Sequence, residues 1–300
     1  MLSICIPFYN YPNYKLANDL WHQIENVNEK VELLVIDDAS DLNLRPQASK
    51  FEKGVKFIQL QKNLGRAKVR NHFLKNCMSE HLLFIDGDSQ LITTSFLKDY
   101  LKVLQKSKAE VICGRSVYPE KKPPKQRRLR WLYGKRIEAQ DVESRSESPY
   151  QAFMTNNFII KQSLLVELPF EERIVNYGHE DTLMGFRLQQ AKCTIEHINN
   201  PVLNATTEEN SLYLKKTKEA VRNLIDIQLW VEDKDAFVEH VKLARFYRKI
   251  NQLGLAGFFG FIYSFFGKQM ESYFTKGGNS LKLFTLWKLT YYSVEFNRRP

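Results

Sequence analysis

Long hydrophobic runs, paired cysteines, glycine and proline are all scarce in this chain of 300 residues. Glycine occurs 13 times and proline 10, which excludes collagen-like and low-complexity architectures. The four cysteines, Cys5, Cys77, Cys113 and Cys193, lie far apart with no CxxC spacing. Cys5 and Cys113 sit inside apolar runs, so the expectation is buried free thiols in a reducing compartment, not a disulfide framework or a structural zinc site. The opening MLSICIPFYN has no basic n-region, long apolar core or small-residue cleavage site, so no secretory signal is expected. The longest uncharged stretch, 251–267, is short and glycine-rich for a membrane span. These absences together predict a cytoplasmic protein, with peripheral contact at the inner face of the plasma membrane left open.

What is present is an ordinary core-forming composition, 43% apolar and 26% charged, which excludes a mainly disordered chain. The net charge of +10 is uneven. Residues 121–136 hold eight basic side chains and no acid, and 240–300 hold ten Lys/Arg against Glu271 and Glu295. The remainder is acidic, with a balance of −6. A nucleic-acid reader usually carries its charge on the folded reading surface, so no nucleic-acid partner is expected. The first basic stretch suits phosphates and the second an anionic lipid surface, although charge runs are also commonly just solvated.

Short β-branched runs alternate with helical patterns over the first two hundred residues. Strands are expected at 3–8, 31–36, 55–60, 82–85 and 110–113, and helices at 14–26, 65–77 and 95–106. This predicts an α/β fold with a mostly parallel sheet covered on both faces. Ligands of such sheets bind beyond the carboxyl ends of the strands. Residues 118–150, rich in proline, serine and charge, read as a long insertion loop of the kind that serves as a lid. A boundary is expected near residue 205, giving domains 1–205 and 206–300, the second helical with amphipathic segments at 212–229 and 235–250. No internal repeat is visible.

Polar clusters stand at those strand ends. Asp86-Gly87-Asp88 closes an apolar strand, and two carboxylates so spaced can share a hard divalent cation such as Mg²⁺ or Mn²⁺. The tripeptide alone is equally at home in an ordinary turn. It is accompanied by Ile6-Pro7-Phe8-Tyr9-Asn10, Asp37-Asp38-Ala39-Ser40, Asn63-Leu64-Gly65-Arg66-Ala67 with Arg70, and Tyr177-Gly178-His179-Glu180-Asp181. In this order and spacing the five motifs resemble glycosyltransferase family 2, with its GT-A nucleotide-diphospho-sugar-binding fold, over residues 1 to about 205. Gly114-Arg115, Tyr133-Gly134 with Arg136 and Glu138, and Asn156-Asn157-Phe158 look like a bacterial subgroup that builds surface polysaccharides.

The resemblance implies a nucleobase and ribose site at Pro7, Tyr9, Asp37 and Asp38, with Asp86 and Asp88 as ribose and metal carboxylates. Arg66 and Arg70, one turn apart, would both face nucleotide. It further implies an inverting sugar transfer from a nucleotide diphosphate donor, UDP being the first choice, to a saccharide or polyprenyl-linked saccharide. Asp181 would be the general base and Glu180 would position the acceptor. Their place at a helix start favours the ionised form, and His179 is expected to orient or pack. Where related enzymes often carry a metal-binding histidine, this chain has Asn204, a weaker oxygen ligand, while His197 looks like part of a strand. Two other readings stay open: a nucleotidyltransferase, which would want a glycine-rich basic loop after the first strand, and a non-catalytic nucleotide-sugar scaffold. In the tail, the aromatic stretch 253–267 between basic flanks reads as an interfacial helix at an anionic membrane, or as a hairpin packed on the core or on a second copy in a homodimer.

Overall fold

Eight strands form one mixed sheet in the computed structural model, which describes residues 1–175, 177–205 and 207–299. They are β1 (Leu2–Phe8), β2 (Val31–Asp37), β3 (Lys56–Gln59), β4 (His81–Ile85), β5 (Ser89–Leu91), β6 (Val111–Val117), β7 (Asn157–Lys161) and β8 (Ile195–Asn204), in the order β3-β2-β1-β4-β7-β6-β8-β5. The helices are α1 (Tyr14–Ile24), α2 (Arg66–His72), α3 (Phe96–Leu104), α4 (Arg128–Tyr133), α5 (Val142–Glu147), α6 (Gln162–Glu167), α7 (Glu180–Gln190), α8 (Asn210–Trp230), α9 (Lys234–His240), α10 (Lys242–Gln252), α11 (Ala256–Thr275) and α12 (Leu281–Asn297). The chain divides into two compact units. One comprises Met1–Pro119, Ala139–Val175 and Leu183–Thr206; the other comprises Glu120–Glu138, Asn176–Thr182 and Thr207–Pro300.

The first unit holds the sheet. Strands β3, β2, β1 and β4 run parallel, β7 is antiparallel to both β4 and β6, and β5 is antiparallel to β8. Strands β6 and β8 are parallel. The uninterrupted apolar runs of β1, β2 and β4 are explained by burial on both faces. Cys5, Leu34, Ile36, Phe84 and Phe158 point to one side, where α2, α6 and α7 pack. Ile4, Ile6, Leu33, Val35 and Ile85 point to the other, against α1 and α3. All four cysteines are buried and free, with Cys5 and Cys77 sulfurs 3.7 Å apart. Two strands that hydrophobic periodicity did not mark, β5 and β7, are short. Both are held by antiparallel neighbours distant in the chain.

The second unit is helical. Leu129 of α4, Tyr213 and Leu214 of α8, Met270 and Phe274 of α11, and Phe284 and Trp287 of α12 form its core. The expected insertion loop at 118–150 is corrected here, because most of it is helical. Leu129 and Trp131 are buried, which gives α4 an apolar anchor, and a π-helical turn follows at Gly134–Glu138. The buried Asn210 side chain binds the segment to this unit by accepting from Leu129 N at 3.0 Å and donating to Lys125 O at 3.1 Å and Phe274 O at 2.8 Å. Two of its charges are held locally, Arg130 pairing with Glu138 at 2.9 Å and Lys135 lying over the Trp131 ring, while Lys121, Lys122, Lys125, Arg127 and Arg136 are exposed.

Phe158 is the junction of the sheet core, stacked on Phe84 at 5.2 Å and set edge-on to Phe153 and Phe170. Phe158→Ala is expected to lower the stability of this unit by about 3–5 kcal/mol, read as a lower urea midpoint.

Candidate functional site

In the sheet unit, the sites expected from sequence gather at the carboxyl ends of β1, β2 and β4. Pro7 is half-buried and Tyr9 is exposed, its ring available as a flat stacking surface. Asn10, with φ +54°, turns the chain back so that its N–H donates to Ser40 Oγ at 2.7 Å. Asp37 is fully buried, and both its oxygens are engaged: Ser40 Oγ and N donate to it, as does Gln59 Nε2 at 2.6 Å. Asp38 accepts from Leu64 N at 2.6 Å, Gly65 N at 2.9 Å and Asn63 Nδ2 at 3.1 Å. Burial pushes its carboxyl above the ordinary value, against the lowering by those backbone donors. The acidic pair thus shapes the strand ends and fixes the Asn63-Leu64-Gly65 turn that starts α2.

The two arginines of α2, both expected to face a nucleotide, differ in exposure. Arg66 is exposed. Arg70 is buried, donating from Nη2 to Asp86 Oδ1 at 2.6 Å and from Nη1 to Arg66 O at 3.1 Å, with its guanidinium over Phe170. The reason is helix register: Ala67, Val69 and Arg70 lie on the core side, so Arg70 enters the interior and meets Asp86 there.

Asp86-Gly87-Asp88-Ser89 forms a tight turn closed by Ser89 N to Asp86 O at 3.0 Å. Gly87 is required by space: a Cβ there would stand 2.5 Å from the Phe8 ring and 2.6 Å from Pro7 O. The turn leaves Asp86 half-buried and Asp88 exposed. Pairing of β5 with β8 puts Asn204 opposite Ser89, next to Asp88 in the chain, and its amide donates to Tyr118 OH at 3.2 Å and Ser116 Oγ at 3.3 Å. Among the described residues, no three His, Cys, Asp or Glu side chains form a metal cage. Two carboxylates of pure oxygen character fit a hard cation whose other positions are filled by phosphates and water, the usual arrangement for Mg²⁺. His197 lies in β8, as expected, buried between Arg145 and Pro149 O.

The second unit holds the Glu180-Asp181 pair, in the first turn of α7. The approach is sharply bent: Gly178 has φ +99° and His179 φ +69°. A Cβ on Gly178 would meet the Ala220 Cβ at 2.6 Å. Asn223 Nδ2 donates to Tyr177 O at 3.0 Å and pins the turn to α8. A non-glycine residue in the left-handed region costs about 1–3 kcal/mol and is characteristic of functional sites. His179 Nδ1 faces Thr182 Oγ1 at 3.1 Å, and burial lowers its pKa to about 4, so the ring is neutral.

Asp181 accepts from Thr182 N at 2.7 Å. Its carboxyl is pushed up to about 7, first by burial and then by Glu180, with Glu138 adding to both. Removal from water and like charge here oppose the helix dipole, which favours the ionised form. Lys288 of α12 belongs to the same cluster and gave no sequence signal. Its Nζ lies 4.8 Å from the Tyr133 ring centre and 5.0 Å from that of Phe284, and burial lowers it to about 8 while Glu138 opposes.

Gly87→Ala should force Phe8 or the Pro7 carbonyl to move, lowering stability by about 1–3 kcal/mol in denaturant titration.

Comparison with known proteins bears on the family and the fold. The profile described as "Glycosyl transferase family 2" matches residues 3–165, more than half of the chain. The glycosyltransferase YfnE of Bacillus subtilis, itself uncharacterised, is 25% identical over 240 residues, covering 64% of this chain and 61% of its own length. Among solved structures, the mannosyltransferase PcManGT from Pyrobaculum calidifontis, in complex with GDP-Man and Mn²⁺, superposes with a TM-score of 0.57 at 13% identity, over 99% of this chain and 85% of that one. Glucosyl-3-phosphoglycerate synthase from Mycobacterium tuberculosis, in complex with Mg²⁺ and UDP, has a TM-score of 0.52 at 15% identity, over 75% and 78%. At such identities the structural likeness speaks for the GT-A fold, and the sequence profile for the family. The chain belongs to glycosyl transferase family 2.

Proposed function

We propose that the protein is an inverting glycosyltransferase. It moves a sugar from a nucleotide diphosphate donor, UDP-linked as first choice, to a saccharide or a polyprenyl-linked saccharide in bacterial surface-polysaccharide synthesis. The observation that carries the reading is Asp181. In a chain of this family it stands at a sharply turned helix start, beside Glu180 and Glu138, with a proton affinity near neutrality. A general base works best when its pKa lies near the working pH, and burial among acids tunes it there. The acceptor hydroxyl oxygen attacks the anomeric carbon while its proton passes to the Asp181 carboxylate. The bond from that carbon to the diphosphate oxygen breaks, the nucleoside diphosphate leaves with the electron pair, and the configuration inverts. Glu180 positions the acceptor, and neutral His179 supports Thr182 beside the base.

On the donor side, Tyr9 and Pro7 offer a surface for the base, with Asp37 and Asp38 shaping the floor on which base and ribose rest. Arg70 holds Asp86 in place, and Arg66 is the exposed cation of that helix. Asp88, with Asp86, would hold Mn²⁺ or Mg²⁺, which when bound neutralises charge on the departing diphosphate. The GDP-Man, UDP and metal in the solved relatives support this assignment by analogy. The proposal includes work at the cytoplasmic side of a membrane, where a lipid-linked acceptor would be met.

The test is a pair of variants. Asp181→Asn should lower transfer by about 10²–10⁴-fold and leave Mn²⁺-dependent nucleotide affinity near wild type, by calorimetry and product chromatography. Asp88→Asn should weaken both. Retained turnover in Asp181→Asn would remove the base from this assignment. The wild-type transfer rate should also fall as pH drops below about 7, because Asp181 then already carries the proton it has to accept.

A further inference from the structure

α11 is apolar almost all the way round, and only one side of it is covered. Ala256, Gly267, Met270 and Phe274 are buried, and the helix packs on α8 and α12. On the opposite side Phe258, Phe261, Phe265 and Phe266 are each between 55% and 59% exposed, and the rings of Phe261 and Phe265 lie 4.3 Å apart. Positions 258, 261 and 265 follow helical spacing, and 269, 272 and 276 continue the same stripe. Leu253 and Leu255, exposed just before the helix, extend its apolar end. Its other end opens into a shallow groove lined by Lys268, Gln269, Ser272, Tyr273 and Lys276. The single acid of α11, Glu271, turns to the covered side, accepting from Tyr263 OH at 2.9 Å and Trp287 Nε1 at 3.3 Å and pairing with Lys218 at 2.7 Å.

We infer that this stripe is an interfacial docking surface for an anionic lipid bilayer, with the four phenylalanines entering the headgroup–acyl boundary and the Lys268–Lys276 groove taking lipid phosphates. The inference deepens the membrane component of the proposed function and does not depend on the transfer reaction. Contiguous exposed aromatic surface of this kind is rare on a soluble monomer, and aromatics with lysines fit an interfacial helix. The charge decides between occupants: the exposed stripe carries lysines and no carboxylate, so it complements an anionic surface, whereas a second copy docked by the same stripe would set lysines against lysines. Among the described residues no single helix is long and apolar enough to cross a membrane, and α10 with α11 reaches that length and composition only as a pair bent by 113°.

The experiment is vesicle co-sedimentation of the full chain, with phosphatidylcholine alone or with about one third phosphatidylglycerol, without substrates. Wild type should sediment with the anionic vesicles and remain largely soluble with the neutral ones. A Phe258→Ser, Phe261→Ser, Phe265→Ser, Phe266→Ser variant should bind at least tenfold more weakly. Lys268→Glu with Lys276→Glu should lose the preference for anionic lipid. All these side chains face solvent, so circular dichroism and nucleotide affinity should be unchanged in both variants. Deletion of 240–300 is not a substitute, because it removes Trp287 and Tyr292 from the core of the helical unit. Wild type that ignores anionic vesicles, or a serine variant that binds them as well as wild type, would overturn the inference. So would a wild-type dimer in vesicle-free solution that the serine changes dissolve, since the stripe would then join two copies. Loss of transfer in Asp181→Asn with vesicle binding intact separates this surface from the catalytic proposal.

Discussion

Parallel strands β1 and β4 end side by side, and the space between those ends governs the donor region. The ring of Phe8 and the carbonyl of Pro7 fill the room that a side chain at position 87 would need, so glycine stands there and the flanking aspartates are carried on a tight turn. A carboxylate half out of water at such a turn needs a counter-charge, and the buried Arg70 supplies it at 2.6 Å. Removing one partner of a buried pair leaves the other unpaired, which costs more than the pair itself contributes. Asp86 is accordingly tied to the interior through Arg70, while Asp88, on the same turn, is exposed. The same economy holds one strand over, where Asp37 and Asp38 spend their hydrogen bonds on Ser40, Gln59 and the Asn63–Gly65 turn.

The helical unit solves a different electrostatic problem. Three acids, Glu138, Glu180 and Asp181, crowd one region, and the cations near them are Arg130, paired with Glu138, and Lys288, lodged against Tyr133 and Phe284. Like charge and burial raise Asp181 towards neutrality, while burial lowers His179 and Lys288. Asp181 and Lys288 thus move towards neutrality from opposite sides, while His179 moves away from it and stays uncharged. The left-handed turn at Gly178-His179 carries backbone strain, and the Asn223 hydrogen bonds and close contact with Ala220 hold it in place.

Arg70 and α4 illustrate the limits of pattern reading. Arg66 and Arg70 are spaced alike on one helix, yet one is exposed and the other buried, since the face a helix turns inward is set by what it packs on. The basic run at 121–136 looked like a solvated loop because its charges outnumber its apolar residues. Leu129 and Trp131 decide its fate, with Asn210, far along the chain, supplying the hydrogen bonds that fix it.

By itself the sequence determined the alternation of β1 to β4 and β6 with α1 to α3, the family motifs and the residue types at each strand end, because these are written in local periodicity and short spacing. It also marked the aromatic stretch of α11. Tertiary structure alone decided the antiparallel pairing of β5 and β7, the burial of Arg70 and the company of Asp181. Each of those depends on contacts between residues distant in the chain, and burial and charge proximity, which set proton affinities, exist only once such contacts have formed.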